Sequence, residues 1–240
     1  MPELPAPLPP GERTVGQLVA ETIRTYGAHF WRALPLGIPL AISTQLSLGH
    51  DANLQTLVLF AFGPLVAGAY LWACRLVHGA QPTAAAFLCA VLVFAPVPFL
   101  VRLLVLPAVA WLALFGLAVP AAMVERLGFR AALERGRRLG LADFVHALGS
   151  LAALVIVVGI SELTLISLLR SQGDNGQRVA HGLADLVLSP LLYLGGALLY
   201  LDQAARVGSR PPDRRSRSDA DLHPAVDADP AGGPDAQVEP

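Results

Sequence analysis

Long apolar runs, separated by short polar or proline-bearing joints, fill most of this chain of 240 residues between Ala33 and Leu201. A run of about 20 apolar residues is what a helix needs to cross a hydrocarbon layer roughly 30 Å thick. Backbone polar groups in such a layer must bond within the protein, so the runs predict helices, and no segment shows the alternation of a membrane barrel. Six spans follow, at about 33–48, 54–74, 84–106, 108–123, 145–169 and 183–201. The block 83–124 cannot be one helix, because its 42 residues would reach about 63 Å. Pro107, close after Arg102, is the natural turning point.

Two further segments carry helical periodicity without the length or apolarity to cross. In 14–31, Val15, Leu18, Val19, Thr22, Ile23, Tyr26 and Phe30 recur at i, i+3, i+4 spacing, with Arg13, Gln17, Glu21 and Arg24 opposite. Thr14 and Gln17 have capping-box spacing. In 125–144, Arg126, Arg130, Arg137 and Arg138 line one side, and Glu134 stands four residues from both Arg130 and Arg138. Both read as amphipathic helices in the membrane interface. A shift of 114 residues also superimposes Arg24 on Arg138, Ala28 on Ala142, Phe30 on Phe144, Ala33 on Ala147 and Leu34 on Leu148. The chain therefore reads as containing a repeated unit, a surface helix feeding a span.

The ends differ in composition. Residues 1–13 open with five prolines and no basic region, and predict a disordered leader, not a cleavable signal peptide. Residues 209–240, basic at first and then acidic, are too poor in large apolar residues for a core and predict a disordered tail. Between them lies a membrane domain over 14–206. The whole is an all-α polytopic membrane protein of six transmembrane helices, with amphipathic cytoplasmic interfacial helices and disordered termini. A hydrophobic share of 54%, a charged share of 15% and a mean hydropathy of +0.56 exclude an ordinary soluble domain.

Charge fixes the expected orientation. With the six spans drawn as above, 14 of the 17 basic residues, all of them Arg, fall on one side and only Arg102, Arg170 and Arg178 on the other. Positively charged loops stay inside, so both termini are expected in the cytoplasm. The lack of Lys beside abundant Ala, Leu, Gly and Pro fits a high-GC bacterial genome, and hence a bacterial plasma membrane. The basic face of Arg126, Arg130, Arg137 and Arg138 then meets an anionic inner leaflet.

Chemistry-bearing motifs are lacking. The six His are scattered without metal-type spacing, Cys74 and Cys89 lie in apolar runs, and a chain without Lys cannot form a phosphate-binding GxxxxGK loop. No cofactor, metal or catalytic set is expected, and the arginines lack the context of a nucleic-acid binder. The notable polar group is Glu162, within the fifth span beside Ser161 and Thr164. A carboxylate at membrane depth is costly and calls for a partner, for which Arg102 is the candidate.

The stretch from Pro120 through Val124, Glu125, Leu127, Gly128, Ala131, Ala132 and Leu133 to Arg135 resembles six-helix bacterial membrane proteins related to the membrane portion of membrane-anchored glycerophosphodiester phosphodiesterases. His29-Phe30-Trp31, Leu106-Pro107 and the run Leu198 to Asp202 add to the likeness, which spans about 14–206. Gly136 and Ala108 depart from it, where Ser and Gly are usual. The resemblance implies a membrane module without an activity, because catalysis in those enzymes belongs to a separate soluble barrel. The expected role is a non-enzymatic membrane scaffold or accessory module with a membrane-protein partner; the alternative is a small transporter or lipid-handling channel using Glu162. Alkaline phosphatase fused after residue 240 should be inactive and fused within 170–182 active; activity at the C-terminal fusion would overturn the orientation.

Overall fold

A computed structural model of the chain describes residues 9–169 and 173–208, with the side chains of 173–175 set aside; the tail expected at 209–240 and residues 1–8 of the leader lie outside the described residues. Among the described residues the structure is all-helical. Helix α1 (Val15–Ala28) starts with the predicted capping box: the Thr14 hydroxyl accepts from the Gln17 amide, and the Gln17 side chain accepts from the Thr14 amide at 2.8 Å. It stops at His29, whose φ of −121° leaves the helical region, so the expected helix over 14–31 is interrupted. Next come α2 (Phe30–Ala33), a 3-10 turn (Leu34–Gly37) and α3 (Ile38–Ser47).

The remaining helices are α4 (Ala52–Ala61), α5 (Gly63–His78), α6 (Ala84–Phe94), α7 (Val97–Leu103), α8 (Val105–Phe115), α9 (Ala118–Val124), α10 (Phe129–Ala142), α11 (Phe144–Leu169) and α12 (Gly173–Gly208). Four stretches are long and apolar enough to cross a membrane: Ala84–Leu103, Val105–Val124, Phe144–Leu169 and Gly176–Gly208. The pair α4 and α5, bent by 51° at Phe62, makes a fifth if counted as one span. The block 83–124 does fold back, but at Leu104, which is extended at φ −165°. Pro107 instead sits in the first turn of α8, where its missing N–H costs no intrahelical bond.

Helix α11 shows why a lipid surround is needed. Its most apolar stretch has a mean hydropathy of 2.4, yet 6% of that stretch is buried inside the protein. Ile156, Ile160 and Leu163 are more than half exposed. In water so large an apolar face would be a liability; against lipid chains it is neutral.

The internal repeat extends to the three-dimensional boundaries. Moved by 114 residues, α1 falls on α10 end to end, each with 14 residues, and the breaks at His29 and Asp143 coincide. Burial repeats too. Leu18, Thr22 and Tyr26 are the buried positions of α1, and their counterparts Ala132, Gly136 and Gly140 are buried in α10. Large side chains in one copy face small ones in the other because the two helices pack at different distances. Where α1 reaches α11 and α12 through side chains, α10 lies directly on backbone: a Cβ on Gly136 would come 2.4 Å from the Ala118 nitrogen, and one on Gly140 2.5 Å from the Ala113 carbonyl.

Helix α12 is the centre of the bundle. It packs on α1, the 3-10 turn, α3, α5, α9, α10 and α11. Pro190 lies inside it and leaves the Leu186 carbonyl without its intrahelical amide. Gly37 of the 3-10 turn settles on that spot, where a Cβ would meet the Leu186 oxygen at 2.4 Å. Replacing Gly136 by Ala should therefore cost on the order of 1–3 kcal/mol by overpacking. Gly27→Ala, where an added Cβ meets nothing within 4 Å, should be neutral or stabilising. Thermal unfolding in detergent distinguishes the two, and equal melting temperatures would contradict the close α10 packing.

Candidate functional site

A partly open cavity of about 300 Å³ lies between the helices, lined by residues of α3, α5, α6, α7, α8, α11 and α12. Its walls are almost wholly apolar, for example Leu40, Val66, Phe94 and Val155, with the rings of Tyr70 and Tyr193 and the hydroxyl of Ser189 as polar exceptions. Broken helices create the room. Between α8 and α9 the chain turns at Gly116, and the Tyr70 hydroxyl crosses to donate to the Gly116 carbonyl at 3.3 Å. Trp111 similarly donates from its ring nitrogen to the Val93 carbonyl at 2.9 Å. These cross-links hold the wall where helical bonding is interrupted.

Polar side chains gather in two groups along α12, one before and one after the stretch from Ser189 to Leu199 that lines the cavity. At the end away from the described termini, Ser189 on the cavity wall bonds the Asp185 carbonyl one turn along α12. The Thr44 hydroxyl of α3 approaches the Asp185 carboxyl, and Glu162 and His181 lie close enough to act on it electrostatically. The Glu162 carboxylate itself meets His181 Nδ1 at 3.4 Å. One carboxylate oxygen of Asp185 is buried without a hydrogen-bond partner.

At the opposite end the polar groups form a clasp around Asp202, which is wholly buried. One of its oxygens accepts from the Gly11 amide at 2.8 Å; the other faces His146 Nε2 at 2.7 Å and Arg206 Nε at 3.1 Å. Arg206 also reaches Asp143 at 3.0 Å and the Arg13 carbonyl at 2.6 Å. This joins the segment before α1, the α10–α11 break and the end of α12. Residues 9–13, expected to be part of a disordered leader, are thus tied down by backbone bonds to the side chains of Asp202 and Arg206. Beside the clasp, Glu125 accepts from Arg135 at 2.9 and 3.1 Å and from the Tyr200 hydroxyl at 2.9 Å.

The expected Glu162–Arg102 pair is replaced by Glu162–His181. Arg102 is exposed in the last turn of α7 and forms no ion pair among the described residues. The reason is the turn at Leu104, which ends α7 one residue beyond Arg102 and leaves its long side chain facing outward, while α12 supplies a nearer partner to α11. Arg126, Arg130, Arg137 and Arg138 are all exposed, with Arg138 paired to Glu134; Arg126 stands at φ 51° in the link between α9 and α10. Among the described residues no group of three His, Cys, Asp or Glu could hold a metal. No motif in the sequence alone marks His181, Asp185, His146 or Asp202 as site residues. The available signal was the spacing His181, Asp185, Ser189, a polar stripe at every fourth residue running into the sixth predicted span.

The chain matches no family model, no curated protein and no solved structure. The reading of the site therefore rests on its geometry. Asp202→Asn should weaken the clasp by about 1–3 kcal/mol, the range for removing one partner from a buried charged hydrogen-bond set that Arg206 leaves partly hydrated. Limited proteolysis after Arg13 should accelerate with it; unchanged cleavage would mean the clasp does not hold the leading segment.

Proposed function

We propose that this chain is a non-enzymatic accessory module of a bacterial plasma membrane that holds one apolar lipid chain between its helices. The observation that carries the reading is the 300 Å³ apolar cavity, about twice the size of a cavity that stays dry and takes up a benzene-sized guest and at the lower edge of small-molecule sites. Only Tyr70, Tyr193 and Ser189 bring side-chain polar atoms to its wall. That pattern supports holding a hydrocarbon over conducting an ion, which needs a polar line through the bundle.

The rest of the proposal is the setting. Six spans arise if Phe30–Ser47, its 3-10 turn included, and Ala52–His78 each cross once; the first is 18 residues long and rises about 27 Å if helical throughout. Both termini are then cytoplasmic, and the exposed Arg126, Arg130, Arg137 and Arg138 lie against anionic headgroups and face a membrane-protein partner. The likeness of 120–135 to the membrane portion of glycerophosphodiester phosphodiesterases belongs to the same proposal, as a common module without the catalytic barrel.

Filling the cavity is the test. Val155→Trp and Leu192→Trp place a large ring in its walls without touching either polar group. Native mass spectrometry of the protein released from gentle detergent should show one long-chain lipid retained by the wild type and lost from both variants. A wild type without bound lipid, or folded variants that keep it, would overturn the proposal.

A further inference from the structure

On the reading that the cavity holds a chain, the residues of its wall also determine what kind of lipid that chain belongs to. Three rings form one side of it. Phe94 packs edge-on against Tyr70 at 5.4 Å and against Tyr193 at 6.5 Å, and all three residues line the cavity. Each also falls midway along its own apolar stretch, Tyr70 in α5, Phe94 in Ala84–Leu103 and Tyr193 in Gly176–Gly208. In a hydrocarbon layer roughly 30 Å thick, such positions lie about 15 Å from either headgroup region.

The hydroxyls of this wall are not equivalent. Tyr70 gives its proton to the Gly116 carbonyl at 3.3 Å, and Ser189 gives its proton to the Asp185 carbonyl. Tyr193 is 7% exposed, and its hydroxyl has no hydrogen-bond partner among the described residues. Nor is that hydroxyl sealed off by neighbouring atoms, as the Tyr26 hydroxyl is, so the surface it keeps is cavity surface. A phenylalanine would line the same wall without carrying a donor into an apolar place, where an unmet donor costs free energy.

We infer that the cavity takes an uncharged lipid with a carbonyl oxygen inside its hydrocarbon part, and that this oxygen accepts from the Tyr193 hydroxyl. The wall has a donor to offer and no charge. None of the described residues that line it is charged, so an ionised head would lose its water there without compensation. Depth points the same way. The ester carbonyls of a phospholipid are tied to a charged head at the edge of the layer, whereas a lipid without a charged group dissolves wholly in the hydrocarbon and brings its oxygen to the middle. A carbonyl accepts and carries no donor of its own, so a single bond satisfies both partners.

The test uses tritiated methyl undecyl ketone and tridecane, which match in length and differ in the carbonyl, with the full chain in phosphatidylcholine nanodiscs, corrected for protein-free discs. The wild type should retain the ketone over the alkane by about fivefold, which is what a neutral hydrogen bond contributes. Tyr193→Phe, which removes the hydroxyl and keeps the ring, should bring the two probes to equal retention. The infrared carbonyl band of the ketone, isotope-labelled to stand clear of the phospholipid esters, should lie lower with the wild type than in protein-free discs. Equal retention of the two probes by the wild type, an unshifted band, or a preference that survives Tyr193→Phe would overturn the carbonyl assignment and leave the chain-holding reading standing. So would a wild type that releases both probes and keeps a phospholipid. Retention of no lipid at all would overturn both.

Discussion

Every backbone amide and carbonyl in a hydrocarbon layer must find its partner inside the protein, and this chain meets that constraint while carrying prolines through nearly every apolar run. Placement reconciles the two. Pro35, Pro39, Pro64, Pro98, Pro107 and Pro120 all fall in the first turn of a helix or 3-10 turn, where the amide has no intrahelical acceptor in any case. The apolar blocks are thereby cut into short helices that change direction without abandoning hydrogen bonds. Phe62 bends one pair by 51°. Tyr70 and Trp111 bond to carbonyls across the bundle near two other breaks. The cavity is a consequence, because short helices meeting at angles cannot fill the space between them as straight ones do.

Pro190 is the exception that locates the central contact. It lies deep within α12 and exposes a carbonyl, yet the chain gains from the defect. Only glycine can approach so closely, and Gly37 brings the 3-10 turn onto the α12 backbone at that point. The first half of the chain is thus docked against the last helix by a backbone contact that tolerates no side chain. The repeat uses a related device at Gly136 and Gly140, where α10 lies on the backbone of α8 and α9. Its counterpart α1 keeps Leu18, Thr22 and Tyr26 instead. One sequence pattern, with small residues exchanged for large ones, has produced a distant and a close version of the same helix packing.

How much of this could be read from the sequence depended on the range of the interaction. Local signals were reliable: the Thr14 cap and the apolar blocks derive from neighbouring residues, the fold-back of 83–124 follows from the length of one block, and the register of the repeat needs only a comparison of two such local patterns. The hairpin position was displaced from Pro107 to Leu104 because proline is acceptable in a first helical turn, and so marks a start as readily as a stop. The break at His29 left no mark in the periodicity, since Phe30 continues the apolar face. Partners were the least legible. Glu162 was recognisable as a carboxylate in an apolar segment, but its neighbour is His181, on a helix that the hydropathy pattern began two residues later, at 183. Asp202 stood at the edge of a predicted span and looked like an ordinary boundary residue; its burial depends on a leading segment that composition alone describes as unstructured.

Two aspartates of α12, Asp185 and Asp202, show how similar residues can be held differently. Asp202 has donors on both oxygens, drawn from three separated stretches of chain, and such a satisfied network makes the position of those stretches unique more than it adds net stability. Asp185 has an oxygen with no donor. Its carboxyl is held by the Thr44 hydroxyl of α3, so it ties α12 to one other helix where the Asp202 network ties it to several. The clasp at Asp202 is closed by the protein alone, from Gly11, His146 and Arg206.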